Sequence, residues 1–215
     1  MPKIKLSLAA QFIIVITMFI NLWIKLFFVL APFFALTIFL SITEKYEEAQ
    51  RRKLALTVSA AVALICLLLF FAGRQIFEIF GITLDSFRIG AGILLLLSGI
   101  SLVQGKTVAV GPTEGDVAVV PLAIPIIVGP ATTGTILVMG AELTTISTKA
   151  IGCLSLLAAV ASVGTVLFAG SFLQRALGTR GIAILSRLSG LILSAMAAEM
   201  IMVGIRAFLI DSGSQ

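Results

Sequence analysis

Long apolar runs separated by short polar stretches make up most of this chain. The apolar runs cover roughly residues 10–42, 54–73, 87–104, 117–142, 149–173 and 183–209. A membrane-spanning helix needs about 20 apolar residues, so the pattern predicts six spanning helices. Strands of an outer-membrane barrel would alternate polar and apolar residues, and segments such as Val58–Phe71 do not alternate. The predicted fold class is an all-α membrane protein.

Composition supports that prediction. Hydrophobic residues make up 60% of the 215 residues and charged residues 12%, and the mean hydropathy is +1.19. A soluble globule of this size does not carry such a composition, and the polar stretches are short enough to be loops. We therefore expect a multi-pass protein of the cell inner (cytoplasmic) membrane, with the lipid bilayer as its main partner.

Landmarks in the first half of the chain recur in the second half in the same order, 97 to 99 residues later. The matched pairs are Pro32 with Pro130, Gly73 with Gly170, Arg88 with Arg187, and Gly105 with Gly204. This pattern predicts a three-helix repeat at 1–105 (with an N-terminal extension at about 1–18), a connecting loop at 106–118 and a second repeat at 119–215. Because each repeat has an odd number of spans, the second repeat must cross the membrane in the opposite orientation to the first. Inverted repeats with interrupted helices at matching positions are typical of secondary transporters.

Charges in the loops favour one orientation. The cluster Arg51-Arg52-Lys53 precedes the second span, and Lys and Arg are more frequent on that side of the membrane. Because positive loops tend to stay in the cytoplasm, we expect both termini on the outer side. The net charge of +5 suits an anionic leaflet and does not predict nucleic-acid binding. The oligomeric state is open, with a homo-oligomer among the options.

Two of the predicted spans should be broken. Residues 10–42 would form a helix of about 50 Å, longer than the hydrocarbon core of about 30 Å, and Pro32 cannot continue a helix. The fourth span contains Pro121, Pro125, Gly129 and Pro130. Irregular backbone at membrane depth is tolerated where it packs on protein or lines a wet cavity. The breaks therefore predict a cavity.

The half-helix that begins after Gly129 is the predicted substrate site. Its first turn has unpaired N–H groups and a partial positive charge, which can hold a carboxylate. The candidate substrate-binding residues are Gly129, Pro130, Ala131, Thr132, Thr133 and Gly134 at the second break, with Ala31, Pro32, Phe33, Phe34 and Thr37 as the wall from the first break. The alternative is a proline-kinked helix whose threonines bond their own backbone.

Several residues inside the spans have other candidate roles. Glu199 falls near mid-membrane, where a carboxylate is costly, so it is a candidate for ion coupling, a partner for a cation such as Lys25, or an inert protonated group. Arg88 and Arg187 are candidate structural clamps at helix ends. Small residues allow close helix packing, and the glycines predicted to do so are Gly90, Gly92, Gly99, Gly105, Gly190 and Gly204.

Catalysis has little support in the sequence. The chain contains no histidine, which removes the commonest general base and a common metal ligand. Its aspartates, Asp85, Asp116 and Asp211, sit at loops or termini, so no clustered Asp motif is present to hold Mg²⁺. We expect neither an enzyme nor a metal or other cofactor.

The motif from Asp116 to Pro130, DVAVVPLAIPIIVGP, resembles the signature of the MarC family of membrane proteins. The segments Phe80–Leu95 and Arg187–Gly204 also resemble that family's third and last spans. The resemblance implies a 3+3 inverted-repeat transporter with small neutral amino acids, such as glycine and alanine, as cargo. We therefore expect a secondary transporter working by alternating access on a small-molecule substrate. A channel or a non-transporting scaffold subunit is the alternative.

This chain departs from the family pattern at the expected site. The family usually has Asn or Asp, then Pro-x-Gly-x-x-Pro, at the first break, where this chain reads Ala31-Pro32-Phe-Phe-Ala-Leu-Thr37. The second break is usually Gly-Pro-Gly, and Ala131 replaces its last glycine. These departures predict a bulkier and more apolar pocket.

Overall fold

The computed structural model describes residues 8–105 and 127–212, and the regular structure within those residues is helical. The helices are α1 (Leu8–Val29), α2 (Pro32–Ile42), α3 (Glu48–Phe80), α4 (Leu84–Gln104), α5 (Pro130–Glu142), α6 (Ile146–Phe168) and α7 (Gly170–Ser212). Among them, α1, α3, α4, α6 and α7 are long and apolar enough to cross a membrane. The all-α prediction is confirmed. The prediction of six spans is not tested, because part of the fourth span (117–142) lies outside the described residues.

Side chains on the outer surface fit a lipid environment. Leu56, Leu64 and Leu68 lie on one face of α3, and each is more than 60% exposed. Spacings of four and eight residues place them in one stripe along the helix. An exposed apolar surface of this kind is unfavourable in water, whereas lipid chains would cover it.

Local capping sets where several helices begin and end. Glu47 starts α3 with a capping box, and the Thr83 hydroxyl accepts a hydrogen bond from the Ser86 N–H at the start of α4. Such caps satisfy N–H groups that have no acceptor within the helix. Gly105 ends α4 with a φ of 67°, a left-handed conformation that favours glycine.

The predicted break at Ala31-Pro32 is confirmed. Helix α1 ends at Val29 and α2 begins at Pro32, and between them Ala31 has a φ of 46° and a ψ of 59°. Left-handed backbone is costly for alanine. The Ala31 N–H donates to the Phe28 carbonyl at 2.9 Å, so the turn that carries this conformation is hydrogen-bonded.

The prediction that a new helix begins after Gly129 is confirmed, and the part of the fourth span before residue 127 lies outside the described residues. Helix α5 begins at Pro130, with Gly129 in extended conformation as its N-cap. The Thr133 N–H donates to the Gly129 carbonyl at 2.9 Å. Proline suits this first helical position because its missing N–H would have no acceptor there. Pro121 and Pro125, also predicted to interrupt this span, lie outside the described residues.

Helices α4 and α7 run antiparallel in close contact. A Cβ added at Gly92 would lie 2.6 Å from Ile201, and one added at Gly99 would lie 2.8 Å from the Gly190 carbonyl oxygen. Glycine at these positions lets the two backbones approach. The prediction of close packing is wrong for Gly90, which has no atom within 4 Å of an added Cβ, because two residues along a helix turn it to a different face from Gly92.

Helix α5 packs against α3 through a second set of glycines. A Cβ at Gly73 would overlap the Leu137 carbonyl, and one at Gly140 would overlap the Phe70 carbonyl. In the same way, Gly170 of α7 approaches the side chains of Leu36 and Leu40 in α2. Both half-helices, α2 and α5, are thus held by small residues on neighbouring helices.

Helix α7 is two helices in one, divided at Gly178. The φ of 66° and ψ of 171° at Gly178 are not helical, so 170–177 forms a separate short segment before the long part, 179–212. Arg51 fixes this segment by donating to the Ser171 hydroxyl at 2.8 Å and to the Thr43 carbonyl at 2.7 Å. This contact ties the end of α2 to the start of α3 and α7.

Candidate functional site

A cavity of about 330 Å³, which we call the break cavity, lies at the starts of α2 and α5. It is framed by the two breaks, α4 and α7, and its walls are largely apolar. Its lining residues are Val29, Ala31, Phe34, Leu94, Leu97, Ser98, Ser101, Leu102, Gly129, Pro130, Ala131, Thr132 and Leu193.

The break cavity brings together six of the residues that the sequence predicts for the substrate site. They are Ala31 and Phe34 from the first break and Gly129, Pro130, Ala131 and Thr132 from the second. The starts of α2 and α5 therefore meet at one cavity, although they are about a hundred residues apart in the chain.

Other predicted site residues lie away from the wall of the break cavity. Phe33 packs edge-to-face on Phe27 at 6.4 Å between ring centroids, and the Thr37 hydroxyl donates to the Phe33 carbonyl. Gly134 faces Ala91 of α4. Pro32 and Thr133 are also absent from the cavity lining. Helical spacing explains these positions, since successive residues of α2 and α5 point to different faces.

Thr132 connects the two breaks directly. Its side chain is buried, and its hydroxyl lies 3.0 Å from the Ile127 carbonyl and 3.3 Å from the Val29 carbonyl. Val29 is the last residue of α1, and the last carbonyls of a helix lack N–H donors from their own helix. One hydroxyl thus serves backbone oxygens freed at both interruptions. In contrast, Thr135 donates to the Ala131 carbonyl of its own helix, as the kinked-helix alternative predicts.

The electrostatics at the break cavity come from helix ends. The first turns of α2 and α5 both start there, and the N–H groups of a first turn have no acceptor inside the helix. Each start also carries the positive end of a helix dipole. Two such ends at one cavity favour a small anionic group, such as a carboxylate.

Ser98 and Ser101 of α4 are two polar residues of the break cavity that the sequence reasoning missed. Both line the cavity, and their spacing of three residues places them on one helix face. That spacing of hydroxyls in an otherwise apolar span was the signal available in the sequence.

A second cavity of about 180 Å³, which we call the charged cavity, lies between α1, α4, α5 and α7. Its lining residues are Leu22, Lys25, Leu26, Arg88, Leu95, Thr135, Val138, Met139, Glu142, Met196, Glu199, Met200 and Val203. Lys25 Nζ lies 4.0 Å from Glu199 Oε2. The predicted partnership of Glu199 with Lys25 therefore has the required geometry, and ion coupling by Glu199 stays a prediction.

Arg88 joins α4 to the end of α5. Its guanidinium donates to Glu142 Oε1 through Nε at 2.9 Å and Nη2 at 2.5 Å, and it also contacts the Asp85 carboxylate. Its repeat-equivalent, Arg187, lies beside Gly105, where an added Cβ would be 3.2 Å from Nη2. The positions of Arg88 and Arg187 suit the predicted structural clamps, and their clamping role stays a prediction.

Metal ligation has no support among the described residues. No group of three His, Cys, Asp or Glu side chains that could hold a metal ion is found there. Cys66 is buried and Cys153 is half-buried, and both are free thiols.

Comparison with known proteins identifies the family. The family model described as "MarC family integral membrane protein" matches residues 16–209. A UPF0056 membrane protein of Methanocaldococcus jannaschii is 38% identical over 205 residues, which cover 89% of this chain and 98% of that protein. The UPF0056 membrane protein YhcE of Escherichia coli is 32% identical over 198 residues, covering 87% of this chain and 92% of that protein. No solved structure matches this chain. The chain therefore belongs to the MarC family of integral membrane proteins.

Proposed function

We propose that this protein is a secondary transporter of small neutral amino acids, or of similarly small zwitterions, that works by alternating access. The observation that carries the proposal is that two helices, each beginning at a proline, start at one cavity, with the first turn of each at its wall. Interrupted helices that present dipole ends to a shared cavity are the usual way in which transporters hold a small charged cargo.

The proposal includes an inverted repeat of residues 1–105 and 119–215, joined by 106–118. Reciprocal contacts support it: Gly204 lies against Arg88, and Gly105 lies against Arg187. Each contact becomes the other when the two halves are exchanged. Such reciprocity is expected when antiparallel helices are related by a two-fold axis.

A second reciprocal contact supports the same relation. Gly73 lies against Leu137 of α5, and its equivalent Gly170 lies against Leu36 and Leu40 of α2. The half-helices are therefore held in matching places in the two halves. Two repeats that pack this way could rock against each other around the cavity between them.

Within the break cavity, the proposed site holds the cargo's carboxylate at the start of α5, between Gly129 and Thr132. The ammonium group would face the hydroxyls of Ser98 and Ser101, which can accept its hydrogen bonds. Phe34 and the neighbouring leucines close the apolar side. A cavity of about 330 Å³ with bulky walls favours a cargo with a short side chain.

The proposed membrane is the cell inner membrane, with both termini on its outer side. The cluster Arg51-Arg52-Lys53 would then face the cytoplasm, in agreement with the bias of positive loops. The competing functions are a channel and a scaffold subunit. A channel conducts without saturation by the substrate, and a scaffold carries no flux.

Counterflow in proteoliposomes tests the proposal. Vesicles that hold the purified protein and are loaded with unlabelled alanine or glycine should accumulate the labelled amino acid with saturable kinetics. Thr132→Val should reduce exchange at least tenfold, because it disturbs both breaks at the site. Thr165→Val is the matched control, since the Thr165 hydroxyl bonds only the Ala161 carbonyl at 2.8 Å on an exposed face of α6. Absence of exchange for both amino acids, or equal exchange in both variants, would contradict the proposal.

A further inference from the structure

The ion pair in the charged cavity is loose. Lys25 Nζ and Glu199 Oε2 are 4.0 Å apart, and the two side chains are 54% and 66% exposed. Hydrogen bonds between charged groups are normally shorter than 3 Å. Neither group therefore uses its hydrogen-bonding capacity on the other, and both can reach a molecule in the cavity.

The other two charged side chains of this cavity are already engaged. Arg88 and Glu142 are hydrogen-bonded to each other, and Asp85 provides a further negative charge next to Arg88. Among the described residues that line the cavity, Lys25 and Glu199 are thus the charges left for a ligand. They offer one positive and one negative group side by side.

A small zwitterion complements this arrangement. Its carboxylate can accept hydrogen bonds from the Lys25 ammonium, and its own ammonium can donate to the Glu199 carboxylate. A ligand with only one charge would engage only one of the two protein charges, whereas a zwitterion can form a charge-assisted hydrogen bond with each. The surrounding Leu22, Leu26 and Met200 side chains leave room for a short apolar substituent.

The charged cavity is also close to the break cavity. Thr135 lines the charged cavity and Ala131 lines the break cavity, which is one turn, or about 6 Å, along α5. In α1, Leu26 lines the charged cavity and Val29 lines the break cavity, three residues or about 4.5 Å along the helix. A ligand could therefore pass from one cavity to the other over a distance similar to its own length.

We propose that the charged cavity is a second zwitterion-binding site, in which Lys25 holds the carboxylate and Glu199 the ammonium group of a small amino acid on its way to or from the break cavity. The proposal rests on the proposed function, because it takes the cargo to be a zwitterion. It adds a docking site that selects cargo by the presence of both charges.

Equilibrium binding to the purified full chain in detergent tests this site independently of flux. Calorimetric titrations would compare glycine with glycinamide, which lacks the carboxylate, and with acetate, which lacks the ammonium group. We expect glycine to bind the native protein best. Lys25→Met should weaken glycine binding at this site about tenfold or more and reduce the preference for glycine over glycinamide. Glu199→Gln should weaken glycine binding to a similar extent and reduce the preference for glycine over acetate.

Two further variants keep the test decisive. Lys25→Met/Glu199→Gln leaves no lone charge in the cavity, so it provides a folded protein if a single variant unfolds, and it should lose one of two bound glycines. Arg74→Met/Glu78→Gln removes an exposed ion pair of α3 and should bind glycine as the native protein does.

Three results would overturn the inference. They are no glycine binding by the native protein, unchanged glycine binding by the Lys25→Met/Glu199→Gln variant, or single variants that lose affinity equally for glycine, glycinamide and acetate. Unchanged glycine binding with loss of uptake driven by a pH gradient would assign Glu199 to ion coupling instead. Normal two-site binding without counterflow would refute the proposed transport and leave this binding site standing.

Discussion

At the scale of single residues, the first break depends on an unfavourable conformation at Ala31. Its φ of 46° lies in the left-handed region, which costs ordinary residues about 1–2 kcal/mol and which glycine and asparagine adopt more readily. The family resemblance leads one to expect Asn or Asp at this position. The structure therefore gives a physical reason for that preference and shows that this chain keeps the conformation without the preferred side chain.

Substitution of Ala31 should change stability in opposite directions. Ala31→Asn and Ala31→Gly should raise the free energy of unfolding by up to about 1 kcal/mol, because both adopt the left-handed region more easily. Ala31→Val should lower it, since a β-branched side chain is least tolerated there. Thermal unfolding in detergent measures the order. If Val were as stable as Asn, the strain attributed to this residue would be absent.

Arg88 should stabilise the junction of α4 and α5. Arg88→Gln leaves the Asp85 and Glu142 carboxylates without their cation, so we expect a loss of about 1–3 kcal/mol. Arg88→Lys should recover part of it, because lysine keeps the charge and lacks the planar fork. Arg74→Gln is the control, since its partner Glu78 lies on the same helix and both are well exposed. Similar unfolding temperatures for Arg88→Gln and the control would contradict the clamp.

At the scale of helices, contact between α4 and α7 depends on which face each glycine occupies. Gly99→Ala should lower the free energy of unfolding by about 1–3 kcal/mol through overpacking, since its Cβ would lie 2.8 Å from the Gly190 carbonyl oxygen. Gly90→Ala, on the same helix, should be neutral or stabilising by about 0.5–1 kcal/mol. Chemical or thermal unfolding of the two variants would test this directly. An equal effect would mean that close packing does not distinguish these positions.

The sequence could predict the helices and their breaks because both depend on local chemistry. Apolar length predicts the spans, and proline favours the first position of a new helix, which Pro32 and Pro130 both occupy. It could not predict that Gly90 faces away from α7, because alternating glycines do not reveal which one meets a neighbour. The kink at Gly178 was also missed, since a single glycine near a helix start carries little signal.

The candidate site was predicted in part for a similar reason. The break residues Ala31 and Gly129–Thr132 could be identified from their backbone chemistry, which sequence reveals. Which face of a helix lines the cavity depends on its rotation, which the sequence does not reveal. For this reason the sequence predicts Phe33 and Thr37 in the cavity wall, where the structure does not place them, and gives no prediction for Ser98 and Ser101 of α4. The pairing of Lys25 with Glu199 was one of several open roles, because sequence does not bring α1 and α7 together.

At the scale of the whole molecule, a small buried layer lies between the two cavities. Val29, Leu95, Ala131, Leu193 and Ala197 are each at most 6% exposed and pack together. Val29, Ala131 and Leu193 border the break cavity, whereas Leu95 borders the charged cavity. The proposed alternating access needs a barrier only a few side chains thick, because small movements of one proposed repeat against the other could then open either side.

The most direct test of the proposed alternating access measures access to both cavities at once. Cys66→Ala/Cys153→Ala provides a background without native thiols, into which Ser101→Cys or Thr135→Cys places a single thiol in the break cavity or the charged cavity. Labelling of each by a membrane-impermeant maleimide would be followed with and without saturating alanine. Alternating access predicts that alanine changes the two labelling rates in opposite directions. Rates that do not respond to alanine, or that rise and fall together, would contradict alternating access.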